Sequence, residues 1–261
     1  MQTRSGTMTQ TANPWLYYFK PSPKAKPSVR LFCFHYAGGN ALIYRTWAQK
    51  LPPSVEVVAI QLPGRATRMH QPLVSKVTDL VEPIADALTP FLNEPFAFFG
   101  HSMGALISFD VARFLRRQGR ALPWHMFVSG RSAPQLDREH RVLYNLPKEE
   151  FLAELQQLDG TPREVLEHPE LMDLVLPMLR ADFSICDTYE YKEEAPLACP
   201  ITALGGLQDY DVSRRRVEAW REQTSATFTL RLLPGNHFFI HTNETLLLNL
   251  VASQLGLLQK L

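Results

Sequence analysis

Neither sign of charge dominates this sequence. Its 27 Lys and Arg residues stand against 26 Asp and Glu, a formal net charge of +1, so no general attraction for nucleic acid or an acidic membrane surface follows. Cysteine is scarce. Cys33, Cys186 and Cys199 cannot all pair, and each sits among apolar neighbours, which points to reduced thiols in a reducing compartment. No apolar run approaches the roughly 20 residues of a membrane span. The first twenty residues carry Arg4 but no apolar core of the secretory kind. A cytoplasmic location is therefore the expectation. No internal repeat or low-complexity tract stands out. What remains is a chain of 261 residues with an apolar fraction of 45%, the size of one α/β domain or one domain with an insertion.

The most informative stretch is FAFFGHSMGA at 96–105. Strand-type residues run into Gly100-His101-Ser102-Met103-Gly104, and a helical pattern follows. A G-x-S-x-G run between a buried strand and a helix forms a nucleophile elbow, which lifts the serine hydroxyl clear of the sheet. The two glycines let strand and helix cross closely. The N–H of Met103, at the helix start, points toward any oxyanion formed at Ser102.

Taken in order, residues 1–28 open polar and close rich in proline and lysine, and read as a loose arm pinned by the aromatics of WLYYF at 15–19. Strands are expected at 29–34, 55–60, 96–99, 124–129, 201–204 and 228–233. Helices are expected around Ile43, Trp47 and Leu51, over 77–92, over 105–117 and over 244–258, the last with Asn243 as a candidate cap. Pro83 either kinks its helix or marks its first turn. This alternation predicts a mostly parallel sheet with helices on both faces.

About seventy residues separate the strands at 124–129 and 201–204, far more than a usual connection. Leu152, Leu155 and Leu158 follow Pro147 at helical spacing. A denser apolar stretch runs from Leu171 to Ile185, with a kink expected at Pro177. Leu171, Leu174 and Met178 mark one side of that helix; Met172, Val175, Leu179 and Phe183 mark another. Two apolar sides need cover on both. One reading is simple core packing. The other is a helical lid over about 134–194, with Met172, Val175, Leu179 and Phe183 toward an apolar substrate.

A serine nucleophile needs a base, and the base an orienting acid. With this elbow the acid and base follow the serine on loops after later strands. His237, in PGNHFF, suits the base. His241 is its rival and better placed as site wall, and HFFIH lacks a third ligand for a metal pair. The acid should follow the strand at 201–204, where Asp209 and Asp211 both qualify. The second oxyanion donor should come from the HYAGG loop after the first strand, the N–H of Ala37.

The ordered set FCFHYAGGNA, QLPGR, FAFFGHSMGA, LRADF at 179–183, YEY, ALGGLQD and GNHFF resembles the type II, external editing thioesterases of polyketide and nonribosomal peptide synthesis. The likeness runs from about Val29 to the C-terminus. It implies an α/β-hydrolase fold, the triad Ser102, Asp209 and His237, Ala37 and Met103 as oxyanion donors, and a lid. Tyr210 departs from the Asp-Pro common there, and His35 stands where proline is frequent. The implied reaction is hydrolysis of acyl groups from the phosphopantetheine arm of an acyl or peptidyl carrier protein. No cofactor or metal is implied, since the pantetheine belongs to the substrate. A medium-chain fatty-acid synthase thioesterase, a carboxylesterase and a non-catalytic receptor on this fold are the competing readings.

Overall fold

The computed structural model describes residues 13–19, 27–158 and 168–257. Most of the arm, residues 159–167 of the long connection and residue 258 of the expected last helix lie outside them.

Among the described residues, seven strands build one sheet: β1 (Leu16–Tyr18), β2 (Val29–Phe34), β3 (Val55–Ile60), β4 (Phe96–His101), β5 (His125–Ser129), β6 (Ile201–Gly206) and β7 (Phe228–Leu233). Their order across the sheet is β1-β3-β2-β4-β5-β6-β7. All neighbours run parallel except β1, which pairs antiparallel with β3 from Leu16 opposite Ile60 to Tyr18 opposite Val58. Part of the arm is thus a strand of the sheet, and the Arg68 guanidinium lies 3.9 Å from the Trp15 ring centroid beside it.

The central strands are apolar at nearly every position because both faces are covered. On β2 and β4, Phe32, Phe34, Phe96 and Phe98 enter one core, which takes in α2 (Thr78–Leu88) and α3 (Met103–Arg117). The alternate residues Leu31, Cys33, Ala97 and Phe99 enter the other. That second core is closed by Tyr44, by Trp47 from α1 (Trp47–Lys50), by Phe239 and Ile240 from α7 (Phe239–Thr242), and by α8 (Glu244–Gln254). A third, small cluster belongs to the long connection. There α4 (Lys148–Gln157) and α5 (Pro169–Asp187) bury Phe151, Leu155, Met172 and Leu179 against Leu143 and Leu146. The helix α6 (Arg214–Glu218) follows β6.

Two expectations change, and the position of two prolines is defined. The helix after β2 is a 3-10 turn, Ala41–Tyr44, then the single turn α1; the Asn40 side chain accepts from the Leu42 N–H and starts that turn tightly. Pro83 lies inside α2, which begins at Thr78, so it does not mark the first turn. The helix α5 contains Pro177 inside its span, as expected. Asn243 does not cap α8 with its side chain; its amide donates instead to the Pro234 carbonyl at 2.7 Å.

Candidate active site

In a parallel sheet the loops after the strands gather along one edge, and neighbouring strands bring their loops together. Here β2 delivers Ala37, β4 delivers Ser102, β6 delivers Asp209 and β7 delivers His237.

Ser102 joins β4 to α3 with φ 52° and ψ −114°, a strained conformation for a residue with a Cβ. The surroundings enforce it. A Cβ at Gly104 would stand 2.1 Å from the Phe34 carbonyl oxygen, and one at Gly100 would stand 2.3 Å from that of Gly104. Strand and helix therefore touch through bare backbone. The Ser102 N–H donates to the Ser129 carbonyl at 2.7 Å, and His101 Nδ1 lies 2.9 Å from Ser129 Oγ. Both contacts fix the elbow against β5.

His237 Nδ1 lies 2.8 Å from Asp209 Oδ2. The other oxygen of Asp209 accepts from the N–H groups of Asp211 and Val212, each at 3.0 Å, so this carboxylate is fully engaged and its side chain is buried. Asp211 supplies a backbone donor to Asp209 rather than a carboxylate to His237; its carbonyl lies 2.7 Å from His140 Nε2. Among the described residues, Asp209, Asp211 and His237 bring potential metal-ligand atoms within 4.8 Å of one another. The hydrogen bond between Asp209 and His237 already joins two of these side chains.

The His101 ring centroid lies 5.3 Å from that of His237. Burial holds His101 well below the usual histidine range, and the neighbouring His237 and His241 add to this. A neutral His101 places no positive charge beside the His237 ring. His241 does line the neighbourhood, with Nε2 2.8 Å from the Tyr36 hydroxyl. His35, pushed down to about 4 by burial and then by Arg65, is neutral as well.

Met103 opens α3 and has no intrahelical acceptor for its N–H. In the loop after β2, the N–H groups of Gly38 and Gly39 are spent on Asp182 at 2.8 Å and on the Tyr36 carbonyl at 3.0 Å. Ala37 and Ser102 line the same cavity of about 640 Å³, together with His237. Residues of the long connection, including Leu136, Leu143, Leu155, Leu179 and Phe183, form its apolar wall.

Of the four wall residues expected on α5, Leu179 and Phe183 reach this cavity. Met172 is buried in the third cluster and Val175 packs against that cluster; neither lines the cavity. On the other side of α5, Leu171 and Leu174 are 46% and 69% exposed. What sequence reasoning missed is Asp182, wholly buried on α5 and paired with Arg65. Its signal was a carboxylate set between the apolar Ala181 and Phe183 in the LRADF run.

A family model described as a thioesterase domain matches residues 29–255. The chain is 48% identical over 93% of its length to a protein named linear gramicidin dehydrogenase from Brevibacillus parabrevis, covering 94% of that protein. It is 43% identical to the gramicidin S biosynthesis protein GrsT of Aneurinibacillus migulanus, over 96% of this chain and 97% of the other. The word dehydrogenase describes that relative; over residues 29–255 this chain follows the thioesterase model. Among solved structures, a thioesterase from the prodiginine pathway of Streptomyces coelicolor superposes with a TM-score of 0.82 at 37% identity, covering 89% of this chain and 94% of that one.

Proposed function

The chain belongs to the thioesterase family, on the side of the type II enzymes of polyketide and nonribosomal peptide synthesis, and from that premise we propose that Ser102, His237 and Asp209 hydrolyse acyl groups held on carrier-protein phosphopantetheine. The observation that carries this reading is the bond between His237 Nδ1 and Asp209 Oδ2, with the strained Ser102 facing the same cavity as His237.

In this reading His237 removes the Ser102 proton as Oγ attacks the thioester carbonyl carbon. Asp209 holds the imidazole in the tautomer that leaves Nε2 free and stabilises the imidazolium. The N–H groups of Ala37 and Met103 meet the oxyanion. The C–S bond then breaks, and the pantetheine thiolate takes the proton back from His237. Water, activated by the same imidazole, attacks the acyl-enzyme and releases the carboxylic acid and Ser102. These steps draw on side chains and backbone alone; the pantetheine arrives with the substrate. The connection between β5 and β6 serves as the lid, with Leu179 and Phe183 on its substrate side. The three cysteines are free thiols, which suits a cytoplasmic enzyme, and no described helix is long and apolar enough to cross a membrane.

Hydrolysis of carrier-bound acyl groups, varied in chain length and polarity, tests the proposal together with fluorophosphonate labelling at Ser102. Turnover of short and aberrant acyl groups is expected. Release confined to finished medium chains would assign a product-releasing role, and faster cleavage of oxygen esters would make the protein a carboxylesterase. Absence of labelling would leave a receptor.

The run Arg214-Arg215-Arg216 divides in the fold. Arg216 turns inward, 2.7 Å from Glu139 and 3.0 Å from Ser132 Oγ, while Arg214 and Arg215 are exposed beside the acid loop. Changing these two to Glu should lower kcat/KM on an acidic carrier several-fold at low salt and less at high salt. Equal rates for variant and native protein at low salt would remove them from carrier docking.

A further inference from the structure

Three segments distant in sequence meet beside the proposed oxyanion hole. Asp182, on α5, is wholly buried and takes Arg65 in a two-pronged pair, Nη1 to Oδ2 at 2.6 Å and Nη2 to Oδ1 at 2.7 Å. The same Oδ2 accepts the Gly38 N–H at 2.8 Å, and Arg65 Nη1 reaches the Gly39 carbonyl at 3.2 Å. One turn earlier on α5, Leu179 closes on the loop from above: a Cβ at Gly38 would stand 2.8 Å from its Cδ2, and Gly38 has φ +79°. The loop after β2 is gripped at successive backbone groups by a carboxylate and a guanidinium that touch each other.

A buried ion pair seldom stabilises a fold more than apolar side chains of similar volume, so stability alone is a poor reason for this one. Geometry supplies a better reason. The Gly38 N–H lies in the peptide plane that Ala37 begins, so fixing it limits the rotation of Ala37, whose own N–H is the proposed donor. We infer that Asp182 is a positioning residue: with Arg65 it aims the Ala37 N–H at the reacting carbonyl oxygen, and through α5 it couples the acyl wall to the oxyanion hole. The inference rests on Ala37 being an oxyanion donor.

The test compares Asp182→Asn with the apolar double variant Arg65→Met/Asp182→Leu, which removes both charges together. The readouts are kcat and KM on a carrier-bound acyl thioester, thermal stability, and affinity for an alkyl boronic acid. The boronate forms a tetrahedral adduct on serine and places an oxygen in the hole. Loss of an entire donor costs about 10²- to 10³-fold; a misaimed one should cost about 10- to 100-fold in kcat, with KM changed less than about threefold. Boronate affinity should weaken in parallel in a double variant that still melts near the native temperature. Native kcat and boronate affinity in the folded double variant would overturn the inference. So would a fall in kcat with boronate affinity intact. If neither variant folds, the pair is a structural requirement and the positioning role is withdrawn. A native protein that neither binds boronate nor takes a fluorophosphonate would instead remove the serine-hydrolase reading itself.

Discussion

Asp209→Asn should lower kcat about 10⁴-fold, because an amide in place of the carboxylate favours the wrong tautomer of His237. Ser102→Ala should end turnover outright. Asp211→Asn should be mild, since Asp211 lends Asp209 its backbone N–H and the carboxylate bonded to His237 Nδ1 is that of Asp209. All three proteins should remain folded, which circular dichroism and melting would establish before rates are compared. A crippled Asp211→Asn beside a mild Asp209→Asn would reverse the assignment of the acid.

Position along the chain could not make that choice. Asp209 and Asp211 share one loop and one residue type, and only the turn, in which Asp209 Oδ1 collects two backbone N–H groups, separates them. By contrast the elbow was legible, because its requirements are local: glycines where backbones touch, apolar residues before, a helical pattern after. Strands β2 to β7 were legible for the same reason, each being a short apolar run between turn residues. The three-residue β1 was not, since its identity as a strand depends on β3, far along the chain. Asn243 looked like a cap, but tertiary contact with Pro234 claims its amide. Periodicity put Met172, Val175, Leu179 and Phe183 on one side of α5, yet it cannot say what covers each part of that side. The pair of Arg65 and Asp182 is the extreme case: two charges joined across 117 positions of sequence.

The second large expectation separates the two halves of α5. Met172→Ala should cost about 2–5 kcal/mol of stability, as a buried side chain lost from a packed cluster does, and should leave chain-length preference unchanged. Phe183, half-buried at the cavity wall, should behave oppositely. Enlarging it in Phe183→Trp should disfavour long acyl chains by about 10- to 100-fold, since each buried CH₂ contributes about 0.8 kcal/mol and a few carbons would lose their contact. Acetyl groups should still turn over. Melting curves and kcat/KM across a chain-length series would measure both effects. A uniform slowing of every chain by Phe183→Trp would show that this wall does not select, and a preference altered by Met172→Ala would return that residue to the wall.

The third cluster, centred on Phe151 and Met172, has a consequence for how such an enzyme diversifies. Its side chains form a group distinct from the two that flank the sheet. Changes at Phe151 and Met172, which do not line the cavity, are insulated from the elbow and from the bond between Asp209 and His237, because side chains without shared neighbours contribute to stability almost independently. In the proposed reading, mutations on the cavity wall can be compensated inside that small cluster while the reaction centre stays as it is. Leu179 and Asp182 are where the insulation ends, for there the same helix bears on the Gly38 loop. If the insertion is the acyl wall proposed above, its variation is constrained at that one turn.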